Sequence, residues 1–277
     1  MKKTVITPIL TWLLVVSSFI VNAQRATSQG QTTMQLLLEK NNTPVENMTF
    51  TDILGADNRI QHTANFDLLL TNDAATRSIL QQLQVLTKER VGRTLSFITF
   101  NQLGEPIQER VYENTMIEDI IFPALDATMA STSVRATVKL RAGNVITRKE
   151  GPRLTAKLNK GLAYTSNFSI TVGGLPTTRV ALIRGLSIKP GNTQPISLTI
   201  ELSAQDGNAW NQWFLTGAGG IKKEQGNIRL LSPNFKDVLY DFSLMDVEII
   251  SFSQTSGPRP ASNRAIVGLR IKGIAIK

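Results

Sequence analysis

The stretch TGAGGIKKEQG, Thr216 to Gly226, has the glycines and lysines of a loop that cradles phosphate. Such a loop needs G-x-x-x-x-G-K-[ST] between a strand and a helix, so that the helix N-terminus faces the anion. Here the glycines follow a helix-like segment and precede a strand-like one, and no Gly-Lys-Ser/Thr occurs, so no nucleotide site is read. Asp246 and Glu248 stand two apart on an extended segment. They therefore share one face, as a paired-carboxylate site would require. No second element supplies a partner group, and they read as a solvated rim of charge. The single histidine, His62 in NRIQHTANF, reads as a surface or strand-edge residue. A Ser-His-Asp triad would have to use it, and no G-x-S-x-G accompanies it. The chain has no cysteine, which excludes disulfides, thiol nucleophiles and Cys/His zinc clusters. Trp210, Trp213 and Phe214 fall at i, i+3 and i+4. An indole pair can stack on a sugar, but at helical spacing it reads as one apolar face turned to a core. No catalytic, cofactor-binding or metal-ligating residue is assigned, and the chain is read as not an enzyme.

The elements around these residues repeat. RATVKLRAG, from Arg135, returns 129 positions later as RAIVGLRIKG, from Arg264. Val134, Ala136, Val138 and Leu140 alternate with Arg135, Thr137, Lys139 and Arg141, a period of two that buries one face of a strand. The same offset matches Met116, Ile120 and Ile121 with Met245, Ile249 and Ile250, and Asp119 with Glu248. Upstream, FDLLLTNDAATRSILQQL and ISLTIELSAQDGNAWNQWF both read strand, cap and amphipathic helix, with Asp73 as the first N-cap. MQLLLEK is a strand, NNTP a turn, and VENMTFTDIL the next strand. TLSFITF and PIQERVYENTMIEDIIF are strands joined by a turn at LGEP. Two copies of one unit follow, at 34–146 and 164–277, with a basic linker at 147–163. The fold expected is mainly β: two tandem small β-barrel or sandwich domains, each with one short helix. Val138 and Val267 are expected to be equivalent core positions.

The chain of 277 residues is long enough for two such domains. Residues 1–23, MKKTVITPILTWLLVVSSFIVNA, carry a positive start, an apolar run and a small-residue end. This is the pattern of a signal peptide cleaved after Ala23. The expected product is exported, periplasmic or extracellular, with a flexible N-terminal segment at 24–33 and no membrane span. Loss of Lys2 and Lys3 leaves 28 basic and 21 acidic residues, a net charge of +7. The excess concentrates between Arg135 and Lys160, where eight basic residues face Glu150 alone. No aromatic is interleaved there for base stacking. The stretch reads as a solvated strand face running into the linker, and no specific nucleic acid is expected.

The second copy, FSITVGGL, VALIRGLSI, ISLTIEL, AWNQWF, NIRLLSPNFKDVLYDFSLMDVEIISFSQTSG and NRAIVGLRIKGIAI, resembles the tube-forming proteins of contractile injection machines. These are the phage tail tube proteins and the Hcp tube protein of type VI secretion. The first copy is similar, through FDLLLTNDAATRSILQQL and VYENTMIEDIIF. The resemblance implies a structural protein that self-associates into rings or tubes, alongside other tube or secretion components. Single-domain members close rings of six, so a fused pair implies a trimer of chains. A fused pair and a signal peptide both depart from the cytoplasmic tube subunits. The competing expectation is a secreted binding module or adhesin, using its loops and aromatics such as Trp210 or Trp213.

Overall fold

In the computed structural model, Val138 and Val267 are each 0 % exposed and each sits between two neighbouring strands. Val138 lies opposite Phe66 on one side and Ile120 on the other. Val267 lies opposite Ile200 and Phe252. The structure describes residues 33–54, 60–88, 92–154, 161–190, 195–217, 223–255 and 263–277. The segments 1–23 and 24–33 read from the sequence lie outside these residues, except for Thr33.

The first copy supplies β1 (Thr33–Leu38), β2 (Asn41–Leu54), β3 (Ile60–Leu69), α1 (Ala74–Lys88), β4 (Arg93–Phe100), β5 (Pro106–Ile121), β6 (Leu125–Asp126), β7 (Arg135–Ala142) and β8 (Asn144–Arg148). The second supplies β9 (Phe168–Val172), β10 (Val180–Arg184), β11 (Ser187–Ile188), β12 (Ile196–Ser203), α2 (Ala204–Gly217), β13 (Glu224–Leu231), β14 (Val238–Thr255), β15 (Arg264–Ile271) and β16 (Gly273–Ile276). The protein is mainly β, with two barrel-like sheets and one short helix beside each, as the periodicity predicts. The first barrel's strands run through Arg148, so residues 147 and 148, expected in the linker, complete β8.

In the first sheet the order β5-β4-β1-β2-β3-β7 returns from β7 to β5, closing six antiparallel strands. Closure leaves no edge in the ring itself. The second sheet has the same roles in the order β10-β12-β15-β14-β13-β9, but β9 and β10 do not pair. The β8 strand hangs on β5, and β16 hangs on β14 in the same way. Inward parities fill both interiors. In the first, Phe50, Phe66, Phe97 and Tyr112 meet in edge and stacked contacts. In the second, Trp210 and Trp213 pack from α2 in an edge contact at 6.0 Å. Burial among these rings pushes the Tyr112 hydroxyl up to about 12, against the pull of Arg110.

Both helices begin as their sequences suggest. The Asp73 carboxylate accepts from the Ala75 amide at 3.0 Å, and the Ser203 hydroxyl from the Gln205 amide at 3.4 Å. Two expectations need correction. The first hairpin does not turn at NNTP. It turns at Glu39 and Lys40, with Glu39 at φ 57°, and Asn41 to Pro44 already pair with β1. The 129-residue offset holds for β7 and β15 but not for β5 and β14. Asn114 and Asp246 both have φ 52°. Each marks the point where the long strand leaves its short partner, at Glu113↔Asn144 or Met245↔Gly273, and takes up β7 or β15. The true offset there is therefore 132. Ile117 answers Ile249, opposite Leu140 and Leu269, and Ile120 answers Phe252. Asn and Asp tolerate the left-handed region better than other residues with a side chain. That conformation anchors the repeat, and the match of Met116 with Met245 does not.

Candidate assembly surface

The residues with chemical potential are dispersed or already engaged. His62 Nδ1 lies 2.7 Å from Asp52 Oδ1 across the β2–β3 hairpin. Asp246 and Glu248 do border one shallow pocket, with Lys223, Pro195, Arg270 and Lys272. Each is paired there, Glu248 with Arg270 at 3.2 Å and Asp246 with Lys272 at 3.5 Å. The two carboxylates are 14 % and 34 % exposed, so they form a partly buried charged cluster with basic partners, rather than the solvated rim without a partner element expected of them. In the Gly-rich stretch, residues 218–222 lie outside the described ones; α2 ends before them and β13 begins after them. Trp210 and Trp213 are 0 % and 4 % exposed, and the Trp210 indole N–H donates to the Pro176 carbonyl at 2.9 Å. They form core, and the use of these two rings on a surface ligand is overturned by their burial. Among the described residues no group of three His, Cys, Asp or Glu could hold a metal. The basic stretch finds acids on neighbouring strands: Arg135 with Glu46, Arg141 with Glu118 and Arg148 with Glu109.

What the fold builds instead is a clasp between its two barrels. The segment β6, which follows β5, leaves the first barrel and pairs with the outer edge of β10. That edge is free because β9 and β10 do not close. The segment β11, from the second barrel, pairs in return with β5, Ser187 opposite Ile121 and Ile188 opposite Ile120. The Phe122 amide extends this ladder by donating to the Leu186 carbonyl at 3.0 Å. Phe122 then meets Phe242 edge-on at 5.0 Å.

The α1 helix completes the joint. Its core face buries Ile79, Leu80 and Leu83, while Gln84 faces the outer edge of β16. The Gln84 amide donates to the Ile274 carbonyl at 2.6 Å and accepts from the Ile276 amide at 2.9 Å. One side chain thus substitutes for a paired strand at an edge that would otherwise be buried unsatisfied. Nearby, Arg77 donates to the Leu239 carbonyl at 3.2 Å, and the Tyr240 hydroxyl to the Thr71 carbonyl at 2.8 Å. Burial raises the Tyr240 hydroxyl pKa well above its ordinary value.

The contact is head-to-tail, because the two copies contribute different elements. The first offers α1, β6 and the edge of β5; the second offers β16, β10 and β11. Several counterparts lie uncovered, although β2, which answers β10, is covered by β1 as far as Val45. β8 answers β16, yet Asn144, Thr147 and Arg148 are exposed where Gly273, Ile274 and Ile276 are buried. α2 packs on β12, β14 and β15 of its own barrel, and its Leu215 stands exposed. On β14, the edge opposite β15 has no partner strand among the described residues beyond Val247, where β13 leaves it.

The sequence pattern gives Gln84 no distinction, since a glutamine on a helix reads as solvated. The two-residue strands β6 and β11 are too short for periodicity to detect. Their only sequence signal is their place, just past a matched long strand or between two matched strands. No protein-family model matches the chain, and no curated protein matches it either.

Proposed function

We propose that this is an exported, non-enzymatic structural protein of the tail-tube/Hcp type, which assembles with copies of itself into rings. Three chains supply six barrels, each barrel filling one slot. The observation that carries this reading is the head-to-tail clasp within the chain. A heterologous contact leaves a complementary half unused at each end, and its repetition gives a ring where the rotation closes and a filament where it does not. Here the unused halves are α2 and the β14 edge, on the second barrel, and β8, on the first. Fusion makes half of the contacts intramolecular, which lowers the entropic cost of closure. Export rests on the residue order of the first 23 positions. Electron microscopy of the purified protein tests the proposal. Closed rings with six similar lobes support it, and a field of isolated two-lobed particles at high concentration contradicts it.

A further inference from the structure

This inference rests on the head-to-tail reading above and names the strand that makes the contact between chains. Within the chain, the β5 edge at Ile120 and Ile121 is covered by Ser187 and Ile188 of β11. β5 corresponds to β14 with offset 132, so the matching acceptor is Phe252 and Ser253. Their pairing with Val267 and Ile266 repeats that of Ile120 and Ile121 with Val138 and Thr137. In the second barrel this acceptor edge has no partner strand among the described residues. An open sheet edge is a template for another strand.

The donor is found by the same correspondence. β11 lies between β10 and β12, which answer β2 and β3. Phe66 and Ile200 both face the matched valines, an offset of 134. The neighbouring residues, Asn65 and Thr199, lie opposite Thr49 and Arg184, so β2 and β10 are offset by 135. Ser187 and Ile188, which follow β10, therefore fall on Asp52 and Ile53, near the end of β2. They pair with His62 and Gln61, and among the described residues no strand covers their other side, β1 reaching β2 no further than Val45. The hairpin end is also oddly apolar: Ile53 is 50 % exposed, Leu54 65 % and Ile60 56 %. Three adjacent exposed aliphatics are what a segment that packs on a partner would show. Ile250, half-exposed on the acceptor strand, offers apolar surface beside it.

We propose that the end of the β2–β3 hairpin of one chain adds, through Asp52 and Ile53, to the β14 edge at Phe252 and Ser253 of a second copy. By the register of the internal clasp, Asp52 then faces Ser253 and Ile53 faces Phe252. The contact between chains is thus the contact between barrels, made with the first copy's hairpin in the place of β11.

Cysteine crosslinking tests this without background because the chain has no cysteine of its own. Asp52→Cys and Ser253→Cys are made in separate full-length chains of different tag mass, both at exposed positions. Facing residues in paired strands approach within disulfide reach. A third chain carrying Ser187→Cys and Ile121→Cys reports the internal pair under the same oxidation. The expected result is a disulfide-linked species with one chain of each kind in the mixture, and none in either variant alone. If wild-type chains associate in light scattering and the internal pair oxidises, yet the mixture gives no mixed dimer, the strand assignment is overturned and the assembly reading stands. A homodimer of the Asp52→Cys chain formed as readily as the mixed species would equally overturn it, since the contact would then be isologous. If wild-type chains stay single at all concentrations, both readings fall together.

Discussion

Gln84 of the first barrel's helix holds Ile274 of the second barrel's last strand, its side-chain amide donating to the Ile274 carbonyl at 2.6 Å. The same side chain takes the Ile276 amide. A strand edge is thus satisfied by a helix 190 residues away in the chain, and the two barrels are welded where one side chain fits both groups.

Replacing Gln84 by Ala or Leu strands a buried carbonyl and a buried amide. Each unsatisfied group costs about 1–3 kcal/mol. The variants are expected to lose roughly 2–4 kcal/mol in denaturant unfolding, at the low end of that sum because water can enter a seam. Gln84→Glu keeps the acceptor but faces a carboxylate toward the Ile274 carbonyl, and is expected to be worse than Ala above the carboxyl pKa. Wild-type stability in the Leu variant would show that the contact carries no weight.

Val138→Asp and Val267→Asp each place a charge at a position with 0 % exposure between two strands. An unpaired buried charge costs at least several kcal/mol, so each barrel is expected to unfold with its own variant. Arg141→Ala and Arg270→Ala break only exposed pairs, with Glu118 and Glu248. Such pairs are worth about 0–1 kcal/mol. Calorimetry of the four variants separates the two classes, and equal melting temperatures would contradict the strand parity.

Those two valines are legible in the sequence because a period of two survives in any strand with one buried face. The helices are legible through their caps and apolar spacing, and the tryptophan face reads as core, as the structure shows it to be. The register of β5 and β14 is not. Side-chain similarity pulls Met116 onto Met245, while the backbone is anchored by the left-handed Asn114 and Asp246. The clasp is hidden for a different reason. β6 and β11 take their strand character from the edges they meet, which are distant in sequence, and Gln84 becomes structural only because β16 lies across it.

Asp126 in β6 is expected to make stability depend on pH. The Thr128 hydroxyl donates to its carboxylate at 2.6 Å and the Thr128 amide at 2.8 Å. Led by that hydroxyl, and helped by Arg184 of the second barrel, these hold its carboxyl below the usual range despite some desolvation. A lowered folded pKa contributes stability above the unfolded value, lost as pH falls through the folded one. Asp126→Asn is therefore expected to flatten the acid limb of stability. An unchanged acid limb counts against the role.

Asp119 works in the opposite sense. Burial raises its carboxyl pKa, against the attraction of Lys189 and Lys139, and its Oδ1 has no hydrogen-bond partner among the described residues. A raised folded pKa means that stability falls as pH rises from the unfolded value through the folded one. Asp119→Asn is expected to stabilise at neutral pH, with the gain fading below the ordinary carboxylate range. Melting curves at both extremes check this, and a gain that persists in acid would refute it.

Export predicts a chain that begins at Gln24. Intact-mass measurement on protein from the envelope or the medium should find residues 24–277, and a soluble product retaining residues 1–23 would contradict it.

The central claim is that the joint inside the chain is repeated between chains. Light scattering of the purified protein over a concentration series tests it most directly. The predicted result is a mass that rises to three chains and holds there. A mass fixed at one chain, even at the highest concentration and at low salt, would contradict it.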